Sequence, residues 1–143
     1  MARRKIGRRR TQAELDLARR KALAARKYHL KTKHHMTLEQ YAELLAFQGG
    51  VCYTCRRANG RTKALAVEHD HKIAREVCAF DPRFPHPEDE SCYRCWRGLA
   101  CGPCNDTHAH SRDTVAFHYR CIDYLTDPPA RRWLRGEEGD DAR

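Results

Sequence analysis

The chain has 143 residues, of which 41% are hydrophobic and 33% charged, with a mean hydropathy of −0.87. A chain this short and polar makes one domain with tails and excludes a large apolar core, so a metal staple is the expected remedy. It contains no apolar run long enough for a bilayer, no signal peptide and no lipidation signal, so a soluble, cytoplasmic protein that keeps its thiols reduced is expected, with no membrane partner.

The net charge of +9 is unevenly placed. Residues 1–35 carry 13 Lys and Arg against 2 acidic residues, and residues 36–143 carry 15 against 17. The basic excess therefore sits in an N-terminal arm (1–35), ahead of a domain at 36–134 and an acidic tail at 135–143. Such an arm reads as a polyanion contact, nucleic acid above all. Residues 1–10 are too charged to fold without a partner.

Thr11 and Glu14 have capping-box spacing and open a predicted helix over about residues 12–31. Its apolar stripe (Leu15, Ala18, Ala22, Ala25) is weak, so partial docking is expected, with the Arg and Lys face along a phosphate backbone. His29, His34 and His35 in this arm read as phosphate-facing or exposed. Thr37 and Gln40 form a second capping box before a helix over about 37–48, where Leu38, Tyr41, Leu44 and Leu45 recur at helical spacing. Gly49-Gly50 ends it.

Cys52-x-x-Cys55 and Cys101-x-x-Cys104 are two paired-thiolate knuckles, the pattern of a fully ligated structural zinc. After the first, Ala64 to Val67 reads as a short strand delivering Glu68-His69-Asp70-His71. Residues 78–95 read as a Cys- and Pro-rich insertion. It adds Cys78, Cys92 and Cys95, which would hold a second zinc if His86 completed the set. Trp96 to Ala100 leads into the second knuckle, and a helix from about Pro103 holds Asn105 in its first turn. Thr114 to Leu125 reads as another helix, stopped at Asp127-Pro128-Pro129. Cys121 reads as a small buried apolar residue, and Trp96 and Trp133 as core. His110 and His118 receive no role.

Glu68 and Asn105 offer a carboxylate and an amide oxygen, hard ligands that suit Mg²⁺ or Mn²⁺ rather than zinc. His69 is the candidate base, since a neutral imidazole accepts a proton near pH 7. The simpler alternative is a zinc-knuckle module that binds nucleic acid without catalysis, which needs neither Glu68-His69 nor Asn105.

KYHL (27–30), MTLEQYAELLAFQGGVCYTC (36–55), LAVEHDHK (65–72), RGLACGPCN (97–105) and DYLTDPPARRW (123–133) together resemble the recombination endonuclease VII family of phages, within the His-Asn-His nucleases. The resemblance implies a small zinc-stapled α+β fold of the ββα-metal type with flanking helices. It implies a metal-dependent DNA endonuclease acting on duplex or branched DNA in recombination or packaging. Catalytic metal would sit on Glu68 and Asn105, with His69 as base and His71 as a further active-site residue. Partners implied are DNA, a second copy of the chain and the packaging machinery, in the host cytoplasm. Three departures stand out. Glu68 replaces the usual Asp; His108, either a phosphate contact or a surface residue, stands where a well-known member is acidic; and the insertion adds Cys78, Cys92 and Cys95.

Overall fold

The computed structural model describes residues 10–83 and 85–137, with the Trp133 side chain outside that description. The expectations of a disordered 1–10 segment, a core Trp133 and an acidic tail therefore fall wholly or mostly outside the described residues.

Helix α1 (Gln12–His34) opens on Thr11 with both hydrogen bonds of the capping box, satisfying two otherwise orphaned backbone donors. It runs three residues beyond the predicted end and stops where His35 takes the left-handed conformation (φ 46°). Only Leu30 of this helix is buried, which is the partial docking expected of a weak stripe. Helix α2 (Leu38–Phe47) repeats the logic with Thr37 and Gln40, and the chain then turns through Gly49 (φ 78°) and Gly50 (φ 76°).

Strand β1 (Ala66–His69) and strand β2 (Trp96–Ala100) form an antiparallel two-stranded sheet. The register pairs Val67 with Leu99 and Glu68 with Gly98, then shifts before His69 meets Trp96. A bulge at that point re-aims the side chain that follows it. The strand starts later than its predicted bounds and carries Glu68 and His69 within it. Helix α4 (Gly102–His110) follows β2 and contacts β1. These three elements make the ββα unit of an α+β fold.

Two small cores hold the domain. The first gathers Leu30, Met36, Tyr41, Leu65, Val67 and Leu99 around Cys52, with Trp96 packed against it. Buried Gln48 locks α2 to the sheet: its Nε2 donates to the Leu99 carbonyl at 2.9 Å and its Oε1 accepts from the Leu99 amide at 2.7 Å. A Cβ on Gly98 would stand 2.9 Å from Gln48 Oε1, so any side chain there displaces the locked amide. Tyr41 donates its hydroxyl to the Leu65 carbonyl at 2.9 Å. The second core is Ala74 with Cys78, Cys92 and Cys95.

Three short elements were not foreseen. Helix α3 (His71–Glu76) is capped by Asp70, whose side chain accepts from the Ile73 amide, a 3₁₀ turn covers Cys78–Phe80, and helix α6 (Pro129–Leu134) begins on the second proline of the Pro pair. Proline at a first helical position is permissive, since its missing N–H would be unpaired there anyway. Helix α5 (Val115–Thr126) matches its prediction but buries no residue. Cys121 is therefore exposed, which corrects the expectation of a buried thiol. Helical periodicity marks a face without saying that anything covers it.

Candidate metal centre and active site

The first knuckle follows α2, and the second spans the start of α4. Cys101 is the N-cap of α4 and Cys104 lies in its first turn. Cys52, Cys55, Cys101 and Cys104 present their sulfurs within 4.8 Å of one another. Cys55 and Cys101 Sγ are 3.8 Å apart, which equals the edge of about 3.8 Å of a tetrahedron with Zn–S bonds of about 2.3 Å. Backbone amides of Ala58 and Arg57 pull the Cys55 thiol down to about 6, whereas burial pushes Cys104 up to about 12. A divalent cation overrides such a spread, because coordinated thiols are deprotonated outright. A second group, Cys78, His86, Cys92 and Cys95, meets the same distance limit with all four residues buried. Both groups could hold zinc.

A cavity of about 520 Å³ is lined by Glu68, His69 and His71 from β1 and the start of α3, and by Asn105 from α4, the residue after Cys104. Its other wall carries the cations Arg26 and Lys33 from α1, with His29 and His34 of the same helix and Asp89 beside Lys33. The arm thus supplies part of the cavity itself. Lys33 also bonds Asp89 of the insertion at 2.9 Å.

His69 is buried, and its Nε2 lies 3.0 Å from the Glu88 carbonyl. A carbonyl only accepts, so Nε2 carries the hydrogen and Nδ1 keeps the lone pair. Burial is the main cause that lowers the affinity of His69 for a second proton. Its ring packs against that of His71 at 4.5 Å between centroids. His71 Nδ1 lies 3.1 Å from Asp113 Oδ2. Burial opposes ionisation of Asp113, but hydrogen bonds from Arg97 and His71 outweigh it and hold the carboxyl below its usual range.

Glu68 is not presented alone. Arg97 Nε and one terminal nitrogen reach its two carboxylate oxygens at 3.0 and 2.5 Å, and the same nitrogen contacts Asp113 Oδ1 at 2.6 Å. The Glu68 and Asn105 oxygens suit a hard cation in chemistry, but a cation on Glu68 has to share the carboxylate with Arg97. His108 is not brought to this cavity. It lines a smaller cleft with Thr54, Arg97 and the edge of Glu68, and its Nε2 lies 3.1 Å from Thr54 Oγ1.

Residues 25–127 match the model of the recombination endonuclease VII family. The chain belongs to that family. Two curated relatives, each called "Gene 59 protein", come from Mycobacterium phages L5 and D29; each is 38% identical over 96 residues, covering 66% of this chain and 46% of the relative. The chain thus spans under half the length of the relatives it matches. No solved structure matches it. No described helix is long and apolar enough to cross a membrane.

Several residues of the site went unforeseen, and two of them, Arg97 and Asp113, line neighbouring clefts rather than the main cavity. Arg97 sits inside a family motif, but an Arg beside a carboxylate is ordinary on a surface. Asp113 has no local signal. His34 is half-buried, with Nδ1 2.9 Å from Ser91 Oγ, so it is not an exposed residue of the arm, and it lines the cavity.

Proposed function

We propose that this protein is a phage-type endonuclease that hydrolyses DNA phosphodiesters with a divalent cation. The observation that carries the reading is the shared cavity: Glu68, His69, His71 and Asn105 line one space together with Arg26 and Lys33 of α1. A base, hard oxygen donors and cations for a polyanion are the parts that phosphoryl hydrolysis needs.

His69 takes a proton from water through Nδ1, since Nε2 is already engaged. The water oxygen bonds to phosphorus as the bond to the leaving 3′ oxygen breaks, and that oxygen then gains a proton from solvent. Glu68 and Asn105 would hold Mg²⁺ or Mn²⁺, which supplies charge neutralisation at the phosphate. His71, held by Asp113, positions the phosphate. His108, in the neighbouring cleft, contacts a flanking phosphate rather than the reacting one. Cys52, Cys55, Cys101 and Cys104 would hold a zinc with sulfur at every position, which leaves it no open site and a structural role.

Family membership supports recombination as the setting, with branched DNA or packaging intermediates as substrates and the host cytoplasm as the place. A homodimer fits that setting. It is supported by α5, which exposes Val115, Tyr119, Ile122 and Leu125, a face able to meet a second copy.

One observation favours the alternative of a zinc-knuckle DNA binder without catalysis, namely the Arg97 clamp on Glu68. Cleavage assays on linear duplex, single strands and four-way junctions, with Mg²⁺ and with chelator, separate the two. Cation-dependent cutting supports the nuclease. Binding without cutting of any substrate contradicts it.

A further inference from the structure

The insertion at 78–95 looks dispensable to the nuclease site, yet its backbone reaches His69 and the residue after it. Glu88, two residues after His86, offers the carbonyl that accepts from His69 Nε2. The carbonyl of Cys95 accepts from the Asp70 amide at 2.8 Å, directly after His69 in the chain. A third link ties the same loop to α1: the Ser91 amide donates to the Lys33 carbonyl at 2.8 Å. The segment between His86 and Cys92 has little apolar content of its own, so something must hold it to this shape.

The sulfur geometry says what does. Cys92 and Cys78 Sγ are 3.7 Å apart, and Cys95 Sγ is 3.8 Å from His86 Nε2. These spacings match the tetrahedral edge of about 3.8 Å expected around zinc. His86 Nδ1 donates to the Pro87 carbonyl at 2.9 Å, so its Nε2 keeps a lone pair facing the thiols, as ligating histidines do. A Cys78–Cys92 disulfide would leave Cys95 and His86 buried and idle.

We propose that Cys78, His86, Cys92 and Cys95 bind a second structural Zn²⁺, and that this knuckle is a positioning device which holds the Glu88 carbonyl against His69. The metal site stands independently of the nuclease reading; its importance for catalysis rests on that reading. Zinc closes the ends of the 86–92 segment onto one ion, which orients the carbonyl and thereby fixes the His69 tautomer.

The test measures metal rather than cleavage. Elemental analysis of the full chain, purified without added metal, should return two zinc per chain. His86→Ala should lose one of them and His86→Cys should keep both. Long-range proton–nitrogen NMR of the imidazoles should show a single Nε2–H tautomer at His69 in the native chain and in His86→Cys, and a mixture in His86→Ala. One zinc in the native chain, or a Cys78–Cys92 disulfide in its non-reduced mass, overturns the site. Loss of one zinc with an unchanged His69 tautomer overturns the positioning role. Should His86→Ala fail to fold, the native stoichiometry and His86→Cys still decide the first question, and stepwise chelation of the native chain decides the second: a His69 tautomer that stays purely Nε2–H while the Cys78 site loses its zinc overturns the positioning role.

Discussion

His69 gives its Nε2 hydrogen to the Glu88 carbonyl 3.0 Å away, and with it the choice of which nitrogen is basic. The partner lies nineteen residues along the chain, in a segment with no regular structure. The base of the candidate site is therefore aimed by the insertion as much as by the strand that bears it.

The Arg97 clamp sets the competition for Glu68. Replacing Arg97 with Ala should tighten Mn²⁺ binding several-fold, because a guanidinium no longer neutralises the carboxylate that the cation needs. Calorimetric titration of Mn²⁺ into native and variant chains measures this. Unchanged or weaker binding would mean that Glu68 is not a ligand.

Gly98 and Gln48 make a packing prediction. Gly98→Ala drives a methyl to 2.9 Å from Gln48 Oε1 and should cost about 1–3 kcal/mol of stability through overpacking and the strained lock between α2 and β2. Denaturant melts measure it, and a neutral result would mean that the Gln48 contact is soft.

His34 makes a pH prediction. Burial, aided by the nearby His29 and His69 rings, lowers its pKa from 6.5 to about 4. The folded chain holds His34 neutral while the unfolded chain protonates it near 6.5. Above 6.5 the two states match, and as pH falls from 6.5 towards 4 the unfolded state gains a proton and stability declines. His34→Asn should flatten that decline in melts taken across the window. An equally steep decline in the variant would mean that His34 contributes none of it.

The thiolate staple makes a folding prediction. Cys101→Ser removes one of four sulfurs and should abolish cooperative folding, since a structural zinc contributes about 10–16 kcal/mol in small domains. Circular dichroism with and without chelator reads it. A folded, cooperatively melting Cys101→Ser chain would mean that the first knuckle is not the staple.

What was legible in the sequence was what has local chemistry. Thr11 with Glu14 and Thr37 with Gln40 announce their helices because capping is a matter of a few adjacent residues. The Cys-x-x-Cys pairs announce a metal group for the same reason. The Glu68-His69 pair stood out because its residue types are rare in a plain strand. What stayed hidden depends on residues far apart in the chain. Arg97 and Asp113 meet across 16 residues, and His34 and Ser91 across 57. Cys121 misled because a free cysteine within a helix is usually buried, whereas α5 stands exposed.

The most direct measurement compares DNA cleavage by the native chain and by His69→Ala, with zinc content and DNA affinity recorded for both. Removal of the base should lower the cleavage rate by about 10²–10⁴-fold while zinc and affinity persist. Cleavage at the native rate in His69→Ala, with the chain folded and its zinc intact, would contradict the role given to His69 and the mechanism built on it.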